Sequence, residues 1–374
     1  MSIAFIDLKA QRARIGDRID AAIARVLDHG AFIMGPEVAE FERRLGEFGC
    51  ARHVLSCANG TEALALPLMA WGVGPGDAVF CPSFSFAATA EVVPWLGATP
   101  VFVDVLADTY CLDPAHLDQA IAQMKAEGRL VPRAVIAVDL FGQPADYPAI
   151  AEVTRRHGLR LIADSAQGFG CTLHGEHPIK WADVTTTSFF PAKPLGAYGD
   201  GGAVLTDDEG LVEVLRSLRN HGAGADKYDN VRIGMNSRLD TIQAAILIEK
   251  LAVFPGEIET RERIANRYRN LLAGLVETPA VIDGGVSTWA QYTIETDDRD
   301  GLAAHLRERG VPTAAYYPRP IHRQSAYASY PVAGGALPVA DAKAGRVLSL
   351  PMHSDLDEAT QDTICEGVRN FIAG

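Results

Sequence analysis

Short apolar runs alternate with helix-patterned segments along the first half of this chain, and that alternation narrows the possible folds more than any other feature. Residues 78–81, 100–105, 134–138 and 160–163 read as strands. Strands separated by helical stretches build a mainly parallel sheet with helices on both faces, an α/β fold. Ligands of such sheets gather at the carboxyl ends of the strands, where Asp164 stands. A chain of 374 residues is too long for one small core and suits a large α/β domain with a smaller companion.

Breakers divide the chain further. A first helix is expected over 12–29, leading through Gly35 and Pro36 into a second over 37–48. Phe254, Pro255 and Gly256 interrupt a helical pattern that resumes over 258–275, so the large domain is placed at 1–251 and a small α+β domain at 252–374. The small domain is expected to carry a strand over 290–295 and helices over 301–309 and 358–372, packed over the ligand cleft from one side.

A formal charge of -13 argues against a nucleic-acid partner, and an anionic substrate then needs local cations, for which Arg238, Arg319, His322 and Arg323 are candidates. Six cysteines without a Cys-x-x-Cys pair read as small buried hydrophobes in a reducing compartment. His174 and His177 flank a Gly175 turn with no third ligand nearby, which reads as a hairpin and not a metal site. No apolar run reaches the roughly 18 residues of a spanning helix, and the N-terminus lacks a signal-peptide core. A cytoplasmic protein with no membrane partner is expected.

The chemistry centres on Lys193, held within SFFPAKPLGAYGDGGAV (188–204). A crowded amine loses its proton easily, and a neutral amine condenses with carbonyls. Alone, such a lysine reads as solvated or phosphate-touching. Upstream, however, RLIADSAQGFG ends an apolar strand in Asp164, followed by Gln167. A carboxylate at a strand end can face a pyridinium nitrogen while a lysine reaches the aldehyde on the same ring, which is the protein's share of pyridoxal phosphate chemistry. In SCANGTEAL (56–64) a Gly turn leads into a helix starting near Thr61, either a phosphate seat or an ordinary helix cap. Pro67 is expected to kink that helix.

With these pieces in this order and spacing, the chain resembles the sugar aminotransferases of the DegT/DnrJ/EryC1/StrS group, within the fold type I pyridoxal phosphate enzymes. The likeness extends from FIMGPEVAEFE (32–42) to YYPRPIH (316–322). It implies a large domain on a mainly parallel seven-stranded sheet plus a small C-terminal α+β domain. It also implies that Lys193 is the catalytic residue, holding pyridoxal 5'-phosphate as an internal aldimine and shuttling protons, with pyridoxamine phosphate present during turnover. Asp164 is implied to pair with the ring nitrogen and Gln167 with the ring hydroxyl, while Gly60, Thr61 and Ser188 hold the phosphate. Phe86 matches the ring that stacks on the cofactor, and Asn236 the residue that reaches the phosphate from a neighbouring subunit. A homodimer with shared active sites follows from the last match. Read without the resemblance, Phe86 equally suits the core, Ser188 a β-turn, and Asn236 or Ser237 the cap of a helix over 239–251.

The resemblance further implies L-glutamate as donor and a nucleotide-linked keto sugar as acceptor. Arg238, Tyr317 and His322 are the expected substrate contacts, although packing roles suit Tyr317 and His322 equally. The lysine loop is most similar to that of enzymes aminating C3 of UDP-2-acetamido-2-deoxy-3-oxo-D-glucuronate for surface polysaccharides such as the O-antigen of lipopolysaccharide. A dTDP- or GDP-linked 3-keto or 4-keto sugar is the alternative acceptor. Sugar dehydratases on this scaffold carry histidine in place of the lysine, and Lys193 argues against them. The intact set of Lys193, Asp164 and Gln167 argues against a non-catalytic regulatory or binding protein.

Overall fold

A computed structural model describes residues 3–226 and 228–374. Helix α1 (Leu8–His29) begins at Leu8 instead of Arg12 because Asp7 caps it, its carboxylate accepting the N–H groups of Lys9 and Ala10. Helix α2 (Pro36–Gly49) starts on Pro36, whose missing N–H is no loss in a first turn. Then follow β1 (His53–Cys57), α3 (Gly60–Ala70), β2 (Asp77–Pro82), α4 (Ala88–Trp95), β3 (Thr99–Val103) and α5 (Pro114–Glu127). The order continues with β4 (Val131–Val138), α6 (Tyr147–His157), β5 (Arg160–Asp164), β6 (Thr172–Leu173), β7 (Val184–Ser188), β8 (Gly202–Thr206), α7 (Glu209–Arg219) and α8 (Thr241–Leu251).

Seven strands form one sheet in the order β1-β8-β7-β5-β4-β2-β3. Strand β8 runs antiparallel to β1 and β7, and the pairs β2–β3, β2–β4, β4–β5 and β5–β7 are parallel. Successive side chains of a strand point to opposite faces. Thus Ala78 and Phe80, Val135 and Ala137, and Leu161 and Ala163 enter one apolar core, with α5 and α6. Val79 and Cys81, Ala134 and Ile136, and Ile162 enter another, with α3, α4 and α7. Both faces are covered, so the strands are apolar throughout, which is why they stood out in the sequence. Strand β7 did not, because Thr185, Thr186 and Thr187 carry hydroxyls; β-branching still suits them to an extended chain.

The topology fixes where a ligand can sit. Strands β1, β2, β4, β5 and β7 share a direction, so Cys57, Pro82, Val138, Asp164 and Ser188 end along one edge of the sheet. Because β8 runs the other way it begins at this edge, and the connection from Ser188 to Gly202, with Lys193 inside it, lies across it. Helix α3 continues unbroken through Pro67; with Ala63 to Leu68 all buried, packing holds the segment helical despite the missing backbone bond.

The C-terminal part contains α9 (Phe254–Leu272), β9 (Gly285–Val286), β10 (Tyr292–Glu295), α10 (Arg299–Glu308), α11 (Pro338–Ala344), β11 (Val347–Leu350) and α12 (Glu358–Ile372). Strands β10 and β11 pair antiparallel, with α9, α10 and α12 around a separate core in which Tyr268 stacks on Tyr292. The large sheet domain is therefore joined by a smaller α+β unit. Pro255 opens α9 instead of preceding it, so the break falls at Ala252 and Val253. We propose the domain division at this break, as 1–251 and 252–374. Ile321, Leu337 and Ala340 return to the large domain and pack in the core that contains Phe102.

His174 lies in the turn around Gly175, bonded through its N–H to Gly284. Among the described residues no group of His, Cys, Asp or Glu is arranged to hold a metal ion, and no helix is long and apolar enough to cross a membrane. Five cysteines are buried; Cys50 is the exposed exception, ending α2 in a left-handed conformation.

Candidate active site

Asp164 ends β5 inside the protein, 5% exposed. Its Oδ1 accepts the N–H of Ala166 at 3.2 Å and its Oδ2 the hydroxyl of Thr89 at 3.0 Å. Thr89 lies in the first turn of α4 and bonds Ser85 at 2.9 Å. Burial raises the Asp164 pKa, opposed by the Ala166 N–H, the charge of Lys193 and the Thr89 hydroxyl. A second buried carboxylate supports the turn that follows: Asp139 accepts from Ser165 and, at 2.7 Å, from Tyr147. The Asp139 N–H donates to the carbonyl of Asp164 at 3.0 Å.

Two lysines beside this edge have pKa values lowered by burial, Lys193 and Lys250. Their surroundings distinguish them. The Lys250 amine donates to the carbonyl of Gly196 at 2.5 Å. Half-buried Lys193 has no side-chain bond among the described residues, and Asp164 is the group whose charge acts on it. Lys193 therefore offers an uncommitted, easily neutralised amine close to a buried carboxylate, the requirement for condensing with a carbonyl.

The turn between β1 and α3 faces the end of β7. A Cβ at Gly60 would lie 2.5 Å from the Ser188 Cβ, and one at Gly202 would lie 2.4 Å from the Asn59 carbonyl oxygen, so bare glycine lets turn and strands meet. Asn59 caps α3 by accepting the N–H of Glu62 at 2.8 Å. The N–H groups of Gly60 and Thr61 are left without an acceptor among the described residues, at the positive end of the helix dipole and beside the Ser188 hydroxyl. An anion fits there.

Gln167 is orientated by its neighbours. The N–H of Phe141 donates to its Oε1 at 2.8 Å, which turns Nε2 outward to donate to the Tyr317 hydroxyl at 3.0 Å. The second Nε2 hydrogen remains for another acceptor. The Tyr317 ring lies 6.3 Å from that of Phe86 and 6.4 Å from that of Phe84. Phe84 is buried, whereas Phe86 is 54% exposed and so is not part of the core. Its ring offers an open apolar face to a planar ligand.

The remaining expected residues make no side-chain bond to this group among the described residues. Asn236 is exposed, and its side chain has no bond among the described residues. Neither it nor Ser237 caps the next helix, which starts at Thr241 with Asp240 in the cap position. Ser237 instead accepts the N–H of Ala58 at 3.3 Å, tying this segment to the Gly60 turn. Arg238 reaches Asn220 at 3.5 Å. His322 is 7% exposed, its Nδ1 2.6 Å from the Ser83 hydroxyl and its Nε2 3.4 Å from Asp341 without hydrogen-bond geometry. Burial lowers its pKa. The ring is thus engaged inside the protein, and of the three expected substrate contacts only Tyr317 touches the group around Gln167 within one chain.

Sequence reasoning missed Thr89, Ser85, Asp139 and Phe141. Hydroxyls in an apolar segment directly after a strand, as in PSFSFAATAE, were the available signal for the first two.

Comparison with known proteins gives a consistent result. The model of the DegT/DnrJ/EryC1/StrS aminotransferase family matches residues 13–369. The UDP-2-acetamido-2-deoxy-3-oxo-D-glucuronate aminotransferase of Pseudomonas aeruginosa is 47% identical over 369 residues, 98% of this chain and 100% of that protein. The crystal structure of a DegT DnrJ EryC1 StrS aminotransferase from Brucella abortus superposes with a TM-score of 0.98 at 53% identity, covering 100% of both chains. A Bacillus subtilis structure with bound cofactor PMP superposes with a TM-score of 0.87 at 30% identity, covering 99% of this chain and 83% of that one.

Proposed function

From the premise that this chain belongs to the DegT/DnrJ/EryC1/StrS aminotransferase family and is a pyridoxal phosphate-dependent aminotransferase acting on a nucleotide sugar, we propose its substrates and the work of its residues. The amino group passes from L-glutamate to C3 of UDP-2-acetamido-2-deoxy-3-oxo-D-glucuronate, in the cytoplasm, for a surface polysaccharide such as the O-antigen of lipopolysaccharide. End-to-end similarity to the Pseudomonas aeruginosa aminotransferase named for that compound is the observation that carries this choice.

When bound, pyridoxal phosphate supplies an electron sink that lets a proton leave the carbon beside the transferred nitrogen. Asp164, whose two oxygens each keep a lone pair beyond the bonds from Ala166 and Thr89, would face the ring nitrogen, and its charge would keep that nitrogen protonated. Gln167 gives its free Nε2 hydrogen to the ring hydroxyl. Gly60 and Thr61 offer their N–H groups, and Ser188 its hydroxyl, to the phosphate. Phe86 covers one face of the ring. Lys193, held uncharged more easily by burial, would shuttle a proton between substrate carbon and cofactor, taking it off the donor α-carbon in the first half-reaction and placing one on the acceptor carbon in the second.

Arg238, Tyr317 and His322 are the residues proposed for the substrate. Tyr317 acts by direct contact and His322 by fastening the 316–323 segment to Ser83. Arg238 and Asn236 serve the site of a second copy in a homodimer. Val231 and Ile233 beside them, and Phe32, Ile33 and Met34, are large apolar side chains exposed on a single chain, as an unmade interface requires.

Amino transfer from L-glutamate to a panel of UDP-, dTDP- and GDP-linked 3-keto and 4-keto sugars, generated in place, tests the reading. Preference for the UDP-linked 3-oxo uronate is expected; turnover only with a dTDP- or GDP-linked sugar would overturn it.

A further inference from the structure

Helix α8 is apolar for most of its length, with Ala244 to Ile248 and Leu251 buried, yet two polar side chains leave it towards the Lys193 loop. Gln243 and Lys250 are seven positions apart (250 minus 243), which puts them on one helix face about two turns apart. Gln243 Oε1 accepts the N–H of Tyr198 at 2.9 Å. Lys250 Nζ donates to the carbonyl of Gly196 at 2.5 Å and sits 4.8 Å from the centre of the Tyr198 ring.

The loop has little slack between these two points. A Cβ on Gly196 would lie 2.4 Å from the Pro191 oxygen, so Gly196 is pressed against the start of its own loop. Leu195 and Ala197 on either side are buried, and the Lys193 N–H donates to Phe190 at 2.8 Å. The residue that carries the uncommitted amine therefore lies within a turn whose far end is held from α8.

Packing alone does not account for Lys250. The side chain is 2% exposed, and burying an ammonium group is costly where a methionine would fill the same space. The groups around it are Glu257 on α9, whose carboxylate is also bound by Gln11 and Arg14 of α1, and the Tyr198 ring. Lys193, Arg261, His353, Asp7 and Asp355 line the same small cavity. Burial lowers the Lys250 pKa to about 8, with Glu257 opposing, so near neutral pH its bond to Gly196 is charge-assisted.

We propose that Lys250 and Gln243 form a two-point clamp that sets the position of Lys193, and are positioning residues for its bond to the cofactor and its proton transfers. This rests on the reading of Lys193 as the cofactor-bearing lysine. The test compares holoprotein of the wild type with Lys250→Met, Gln243→Leu and a control, Glu249→Gln, whose side chain pairs with Arg18 and Arg25 on the α1 side of the same helix. The measurements are the pH midpoint of the visible absorbance, the pyridoxal phosphate dissociation constant, and the melting temperature of each apoprotein. Both clamp variants are expected to move the midpoint by at least about half a unit and weaken cofactor binding about tenfold, the effect of one lost hydrogen bond. Glu249→Gln is expected to change melting alone. Midpoints within about 0.3 pH unit and dissociation constants within about twofold of wild type in the clamp variants, or equal shifts in the control, would overturn the clamp. Should Lys250→Met not fold, Gln243→Leu decides by the same criteria. Borohydride labelling of each holoprotein keeps the two ideas apart: label on Lys193 throughout leaves the underlying reading intact whichever way the clamp is decided.

Discussion

Asp164 and Asn236 belong to the same proposed site and stand at opposite extremes of confinement. Asp164 is almost fully buried, with bonds from Thr89 and Ala166 and a second buried acid behind it. Asn236 is exposed and unbonded through its side chain among the described residues, and nearby Ile233 is 89% exposed. The ring-facing half of the site is complete within one chain because it grows out of the strand ends. The other half lies on irregular segments whose apolar side chains are not covered. The confined half holds its groups in place; on the proposed reading, the open half becomes a site only with a second copy of the chain.

The sharpest way to break this contrast is within the confined half. Lys193→Ala is expected to lower turnover by about 10⁴-fold or more, the upper range for a general acid–base group. Any bound cofactor should then leave with the denatured protein's small-molecule fraction; retained multiple turnover would remove Lys193 from the mechanism. Next in size, Asp164→Asn should lower turnover by about 10³-fold, as when a preorganised charge is lost from a water-excluded site. Pre-steady-state rates should locate that loss in proton transfer instead of in release of product.

Asp139 tests what confinement demands in stability. Its pKa is raised to about 6 by burial, above the ordinary 3.8, against the opposing bonds from Ser165 and Tyr147. The folded chain therefore binds the proton more tightly than the unfolded one, so this group's contribution is most favourable below about pH 4 and is lost as pH rises through about 6. The full difference is about 3 kcal/mol. Urea unfolding at pH 4.5 and 7 should show Asp139→Asn with a flatter pH dependence than wild type; parallel curves would contradict the assignment.

Smaller effects probe the link between the halves. Thr89→Val removes one donor from Asp164 and should weaken cofactor binding about 10- to 100-fold, the value of a hydrogen bond to a charged group. Equilibrium dialysis checks it, and unchanged affinity would make Thr89 a packing residue. Asn236→Ala should cost about tenfold in cofactor affinity. Mixed dimers of Asn236→Ala with Lys193→Ala should regain partial activity by assembling one intact site. Absence of complementation would confine Asn236 to its own chain.

The same contrast governs what was legible in the sequence. Asp164, Gln167 and Lys193 stand out because a doubly covered strand is apolar to its last residue and Gly and Pro mark the loops. Their supports are not legible, since Thr89 and Asp164 are 75 positions apart and the Phe141 N–H that orientates Gln167 is backbone and has no side-chain signature. Phe86 reads as core from its apolar neighbours, yet the turn after β2 leaves it open. His322 is expected at the substrate, and its bond to Ser83, 239 positions away, has no signature in the sequence. Element ends slipped where a cap or a proline acted: Asp7 lengthened α1, and Pro255 opened the helix it was expected to interrupt.

The central claim is that one particular amine bonds the cofactor, and the chain contains a rival in Lys250, also buried and also with a lowered pKa. Borohydride reduction of the holoprotein followed by peptide mapping decides between them. The account predicts a stable pyridoxyl group on the peptide containing Lys193 and none elsewhere; label on Lys250, or no covalent label in a protein that holds the cofactor, would contradict it.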